Sequence, residues 1–217
     1  MDIHEAKLML PRPYFRGRLH QVAVVASAAG LVWLVRSATT PRALAVAWIY
    51  GVASILLYLT SSTYHVFARS PAAVRAMQRA DHSMIFVLIA ASFTPSAVLI
   101  LPDPWRWWSL VVMWSGAVLG IVLKVVALER YRKLGAALYI VLGWAGLVAL
   151  PFLWQRPGTL VLFAGGGALY TVGAILFALR RPQLSLRWFG YHEVWHGFVV
   201  TAGGLLYVAN LGLVRAG

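Results

Sequence analysis

Tyr191-His192-Glu193-Val194-Trp195-His196-Gly197 leads directly into Phe198 to Val214, the last apolar run of a 217-residue chain. His192 and His196 are four residues apart, so on a helix both imidazoles stand on one face, one turn apart, as a metal-ligating pair requires. Counted from His192 to Val214, the run is long enough to cross the hydrocarbon of a bilayer, which takes about 20 residues. The stretch therefore reads as a membrane helix that carries a metal-type pair where it begins. Two histidines at a membrane surface also suit hydrogen bonds to backbone or lipid headgroups, so the pair alone leaves the chemistry open.

Composition extends that reading to the whole chain. Residues are 61% hydrophobic and 12% charged, too apolar for a soluble globular domain, where charged residues approach a quarter. The absence of cysteine excludes disulfides, thiolate metal sites and cysteine nucleophiles, so a metal here must be held by His, Asp or Glu. Asp2, Glu5 and Pro11 precede the first long apolar run and no small-residue cleavage pattern follows. The N-terminus does not read as a signal peptide, and the first helix is expected to remain in the mature protein.

Seven apolar segments can be marked: His20 to Val35, Leu44 to Tyr64, Ser83 to Leu101, Trp107 to Leu128, Leu134 to Leu153, Leu160 to Leu179 and His192 to Val214. Their connections are brief, Val66 to Ala80 and Arg180 to Tyr191 being the longest. Lipid tolerates no unpaired backbone and the segments are too long for barrel strands, so all should be helical. The basic residues set the direction. With the N-terminus inside, thirteen fall on the inner side (Lys7, Arg12, Arg16, Arg18, Arg69, Arg75, Arg79, Arg130, Arg132, Lys133, Arg180, Arg181 and Arg187) and five on the outer (Arg36, Arg42, Arg106, Arg156 and Arg215), the bias of an N-inside, C-outside protein. The expected fold is an all-α, seven-transmembrane helix bundle spanning 1–217 as a single domain. The distribution of the net charge of +13 points to anionic lipid headgroups at the inner face and not to nucleic acid. Lys124, near the inner end of the fourth segment, is expected to snorkel. Trp105, Trp107, Trp108 and Trp154 at the outer ends and Trp188 and Trp195 at the inner form interfacial belts. Small residues in the fourth to seventh segments, among them Gly116, Gly120, Gly143, Gly146, Gly165 to Gly167, Gly203 and Gly204, read as helix contacts.

That orientation gathers polar residues from distant segments at one depth. The second segment ends at the inner face with Ser61-Ser-Thr-Tyr-His65, the third begins there with Asp81-His82, and the seventh with His192 and His196. Ionisable groups at the edge of the hydrocarbon need a partner or a function. His65, His192 and His196 make a three-histidine set of the kind that leaves a fourth position for water on a catalytic zinc; neutral ligands leave the ion its full charge, which lowers the pKa of that water toward ~7. Asp81 is placed to accept the water's proton, and Ser61 to hold the water or a substrate oxyanion. His192-Glu-Val-Trp-His196 also spells H-E-x-x-H, in which the glutamate is the general base of zincins, so Glu193 competes with Asp81 for that role. After His196 the chain has no His, Asp or Glu, so the third ligand must come from upstream. His82, turned by about 100 degrees from Asp81, is expected to face headgroups or another helix. His4 and His20 read as interfacial, and Tyr64 and Tyr191 as belt residues or supports for the ligands beside them.

The elements Ser61-Ser-Thr-Tyr-His65, Asp81 followed by Ser92-Phe-Thr-Pro95, and His192-Glu-Val-Trp-His196 resemble, in that order and over essentially the whole chain, the bacterial haemolysin III-like branch of the progestin and adipoQ receptor family. That group sits within a wider superfamily of seven-helix membrane hydrolases. The resemblance implies an N-inside, C-outside bundle with Zn2+ near the cytosolic face, His65, His192 and His196 as ligands, and Asp81 and Ser61 in the water-holding positions. It weakens the case for Glu193 as base, because the family pattern leaves the residues between the histidines free. The leading expectation is a zinc-dependent integral protein of the bacterial inner (plasma) membrane that hydrolyses an amide or ester bond of a membrane lipid, with membrane-lipid homeostasis as its setting. A haemolysin-type pore with structural zinc and a lipid-state sensor or transporter are the alternatives.

Overall fold

Local cap signals set the helix boundaries more sharply than hydropathy does. In the computed structural model, which describes residues 13–127 and 132–217, the Thr40 and Ser70 hydroxyls accept hydrogen bonds from the N–H groups of Ala43 and Ala73, each at 3.2 Å. Each is followed by a proline at the first helical position, where a missing N–H costs nothing, and a cap of this kind is worth about 1 kcal/mol. Helices α2 (Pro41–Phe67) and α3 (Pro71–Leu99) start from these caps. Most of the Val66 to Ala80 stretch is consequently helix and not connection. The Ser70-Pro71 signal starts α3 three turns before its apolar zone, so Arg75 and Arg79 lie on the helix and not in a loop.

The remaining helices are α1 (Arg18–Ser37), α4 (Trp105–Ala127), α5 (Arg132–Ala145), α6 (Pro157–Ala178) and α7 (Tyr191–Ala216). Among the described residues, six of these helices, α1 to α4, α6 and α7, are long and apolar enough to cross a membrane. The fifth apolar segment is not one continuous helix. After Ala145 it tightens into a 3-10 turn over Gly146–Ala149 and resumes as a short helix over Leu150–Leu153. Pro151 explains the break, since it has no N–H to return to the Leu147 carbonyl, and Leu150 N–H bonds that carbonyl instead. His4, Lys7, Arg12 and Arg130 lie outside the described residues.

Large side chains that no soluble protein would display in such number cover the outside, among them Val22, Val25, Trp107, Trp108, Val126 and Val161. An apolar exterior of this extent suits lipid and not water. Inside, Leu34, Val46, Tyr50, Ala91 and Val214 join α1, α2, α3 and α7, while Phe86, Phe93, Met113 and Leu142 join α3, α4 and α5. Helix α7 packs against α6 and also touches α1, α2 and α3, so its first turns are held from several sides. The small residues do not all serve alike. A Cβ at Gly116, Gly120, Gly166 or Gly203 would strike Leu142, Phe86, Leu206 or Tyr58, whereas Gly143, Gly167 and Gly204 have no side-chain neighbour within 4 Å. The first group, together with Gly165 against Leu205 at 3.3 Å, serves the close helix approach expected of all of them, while Gly146 would make only ordinary contact with Phe93 at 3.6 Å. Trp195 likewise departs from the belt reading: it is half-buried against Phe177, ring centroids 5.8 Å apart.

Candidate metal centre

Antiparallel helices bring the C-terminal turns of α2 and the N-terminal turns of α1, α3 and α7 to one end of the bundle. His65 leaves the last turn of α2, one turn after Ser61 and on the same buried face. His192 and His196 leave the first two turns of α7. The Nε2 atoms of His65 and His192 stand 3.2 Å apart, and one ligand atom from each of the three histidines lies within 4.8 Å of the others. Two imidazole nitrogens bound at about 2.0–2.1 Å to one tetrahedral ion are separated by about 3.3 Å, so the His65–His192 spacing fits a metal ion. His65 and His196 are buried and His192 is half-buried. The three side chains can hold a metal ion, in the combination expected from the sequence.

Asp81 and Ser61 join this group. The Asp81 carboxylate lies 4.0 Å from His65 Nε2, too far for a hydrogen bond and close enough for one small molecule to bridge. The Ser61 hydroxyl lies beside the same carboxylate, close enough to interact with it from α2. The backbone carbonyl of His82 accepts a 2.8 Å hydrogen bond from the Tyr139 hydroxyl of α5. Tyr64 packs beside His65, ring centroids 4.5 Å apart.

Glu193 occupies the third helical position of α7 and has both oxygens engaged. Oε2 accepts a 2.7 Å hydrogen bond from the Gly190 N–H, satisfying an otherwise orphaned helix-start donor. Oε1 accepts from Arg16 Nε. The carboxylate is fully buried and Arg16 is 22% exposed. Glu193 thus clasps the start of α7 to the segment before α1. That segment is docked independently, since Tyr14 and Phe15 donate backbone hydrogen bonds to the Arg187 and Trp188 carbonyls at 2.9 and 3.2 Å. The metal-competent histidine group does not include Glu193.

Two residues at this end went unread as site residues in the sequence. Arg16 counted only as one of many inner cations. His20, expected at the interface, is buried and stacks face to face on His196, with centroids 3.9 Å apart and planes 7° from parallel. Gly17 makes this possible: its φ of +79° turns the chain into α1, and a Cβ there would sit 2.8 Å from the Cβ of His65. A helical reading held the signal for His20, which shares one face of α1 with Ala23, Ser27 and Leu34, the small and buried side of that helix. Lys124 also departs from expectation. It does not snorkel but is buried at 2% exposure, with Nζ 5.1 Å from the centre of the Tyr139 ring. The cause is steric room at Gly135, where a Cβ would collide with the Lys124 ammonium end.

A model of haemolysin-III-related proteins matches residues 8–207. The chain belongs to the haemolysin-III-related family. It is 31% identical over 198 residues to Hemolysin-3 of Bacillus cereus, covering 88% of this chain and 87% of that protein. The Hemolysin-3 homolog of Bacillus subtilis is likewise 31% identical, over 201 residues, 88% of this chain and 89% of the relative. Similarity reaches animals: the human monocyte to macrophage differentiation factor is 26% identical over 171 residues, 75% of this chain and 68% of that one. The resemblance read from the three sequence elements is borne out, and family and helices together make this an integral membrane protein.

Proposed function

We propose that the protein is a zinc-dependent membrane hydrolase that cleaves an amide or ester bond of a membrane lipid at the inner face of the bacterial plasma membrane. The observation that carries this reading is the convergence of three histidine nitrogens with a carboxylate 4.0 Å from one of them. All-nitrogen neutral ligands with no cysteine in the chain suit zinc. When bound, zinc supplies Lewis acidity that activates water for attack and polarises a carbonyl.

The chain's own residues do the rest. His65, His192 and His196 tie α2 to α7 and fix where the reacting bond must lie. Asp81 takes the proton of the attacking water at the oxygen nearer His65, and the Ser61 hydroxyl holds that carboxylate in orientation. Glu193, with both oxygens committed, keeps α7 in register and does not act as base. Thirteen inner against five outer basic residues support an N-inside, C-outside topology in which the histidine end faces the cytosol, where anionic headgroups meet the arginines.

The printed name of the Bacillus cereus relative, Hemolysin-3, favours a second reading, a membrane-permeabilising protein in which the metal is structural. Purified protein in liposomes separates the two. Release of a lipid fragment that stops on chelation and returns with Zn2+ is the result expected of a hydrolase. Escape of trapped ions with no chemical turnover would establish the pore instead.

A further inference from the structure

The buried end of the bundle holds a fourth imidazole that the reading above leaves without a task. His20 is 3% exposed, and neither ring nitrogen has a hydrogen-bond partner among the described residues. A neutral imidazole carries one N–H donor and one acceptor, and a charged one carries two donors, so a donor is present in every state. Burying such a group without a partner is costly, and a phenyl ring would fill the same space at no such cost. The sequence nevertheless places a histidine here, on a glycine turn that seats it against the helix of His65.

Its surroundings say what the donor meets. One face of the ring lies flat on His196, so the His20 edge stands one ring thickness from the edge of a metal-competent histidine. On another side it meets the ring of Tyr58, centroids 5.1 Å apart. Tyr58 and Ala23, one turn along α1 from His20, line a largely apolar cavity of about 330 Å³ between α1, α2 and α7. His20 therefore stands between the metal-competent group and a space where apolar matter fits.

We propose that His20 is a substrate-binding catalytic residue, whose imidazole N–H donates a hydrogen bond to the carbonyl oxygen of the lipid bond being cleaved. The role rests on the hydrolase reading. His20 polarises the carbonyl from the α1 side and holds it beside the three histidines, while Asp81 works from the α3 side. A preorganised donor aimed at an oxygen that gains charge is the standard device for acyl transfer in a dry site.

The test uses the full-length protein in nanodiscs with Co2+ in place of Zn2+, titrated with acetohydroxamate, a small carbonyl-containing metal ligand, and followed by the visible bands of cobalt. The expected result is that His20→Phe retains wild-type cobalt stoichiometry, because the stack is preserved, but binds the hydroxamate roughly tenfold more weakly, the scale of one lost hydrogen bond. His20→Gln, which restores an N–H, should bind within about threefold of wild type. Unchanged hydroxamate affinity in His20→Phe would reduce His20 to a packing residue and overturn the proposal. Loss of cobalt in His20→Phe would overturn it differently, by making His20 a ligand. A wild-type protein that takes up no cobalt would sink the metal reading itself, and this proposal with it. Should His20→Phe not fold, His20→Gln decides alone: near-wild-type affinity supports the donor, and a tenfold loss overturns it.

Discussion

Replacing Arg16 with methionine strands a carboxylate. Glu193 is fully buried, and its partners are Arg16 and the Gly190 N–H. Removing one partner of a buried ion pair costs about 3–5 kcal/mol, chiefly because the other charge stays uncompensated. Arg16 is 22% exposed, so water can reach the gap and the lower end, about 3 kcal/mol, is expected for Arg16→Met. Glu193→Gln removes the charge yet keeps an oxygen for the Gly190 N–H, and should cost about 1–2 kcal/mol. In the double variant no charge is left buried, so its cost should fall short of the sum by about 1–2 kcal/mol. The Tyr14 and Phe15 backbone hydrogen bonds remain in all three variants, so the segment stays docked and the cycle isolates the side-chain pair. Unfolding by SDS in mixed micelles, followed by circular dichroism, measures each variant on one scale. Arg16→Met as stable as the unaltered protein, or strict additivity in the double variant, would refute the clasp and return Glu193 to the list of candidate bases.

Asp81→Asn should keep its metal, since the three imidazoles are untouched, while turnover of a lipid substrate falls by about 10²-fold or more, the scale of lost acid-base assistance; metal content and rate are measured on the same sample, and a fully active Asp81→Asn beside a metal-replete, inactive Glu193→Gln would reverse the two roles. Reporter fusions at Gly217 should report the outer side and fusions in the 68–70 turn the cytosolic side, and a cytosolic C-terminus would end the single-depth argument. Gly135→Leu should dislodge the buried Lys124 ammonium end and destabilise the bundle by several kcal/mol, because burying or moving a charge inside a membrane is expensive; unfolding within ~0.5 kcal/mol of wild type would show that the lysine simply swings outward.

The membrane class, the helical architecture and the histidine set were legible because each depends on local pattern: apolar length, basic loop bias, and a four-residue spacing that a helix turns into proximity. Hydropathy failed where something other than lipid preference set the structure. Ser70-Pro71 starts a helix in a stretch hydropathy assigns to a loop, and Pro151 breaks a helix that hydropathy treats as whole. His20 and Lys124 were misplaced for another reason. Both sit near segment ends, where exposure is the default for polar side chains, and both are buried through a glycine: Gly17, three residues before His20, lets the chain turn in close against His65, and Gly135, on another helix, leaves room for Lys124. The clasp between Arg16 and Glu193 joins residues 177 positions apart, and no spacing rule on one strand of sequence reaches that far.

The central claim, that α2 and α7 hold one metal ion between them, is tested most directly by metal analysis of purified protein alongside its His65→Ala variant. One zinc per chain is expected in the first and less than about a tenth of that in the second, since two histidines are too few to retain the ion through purification. A metal-free parent protein, or full zinc in His65→Ala, would contradict it.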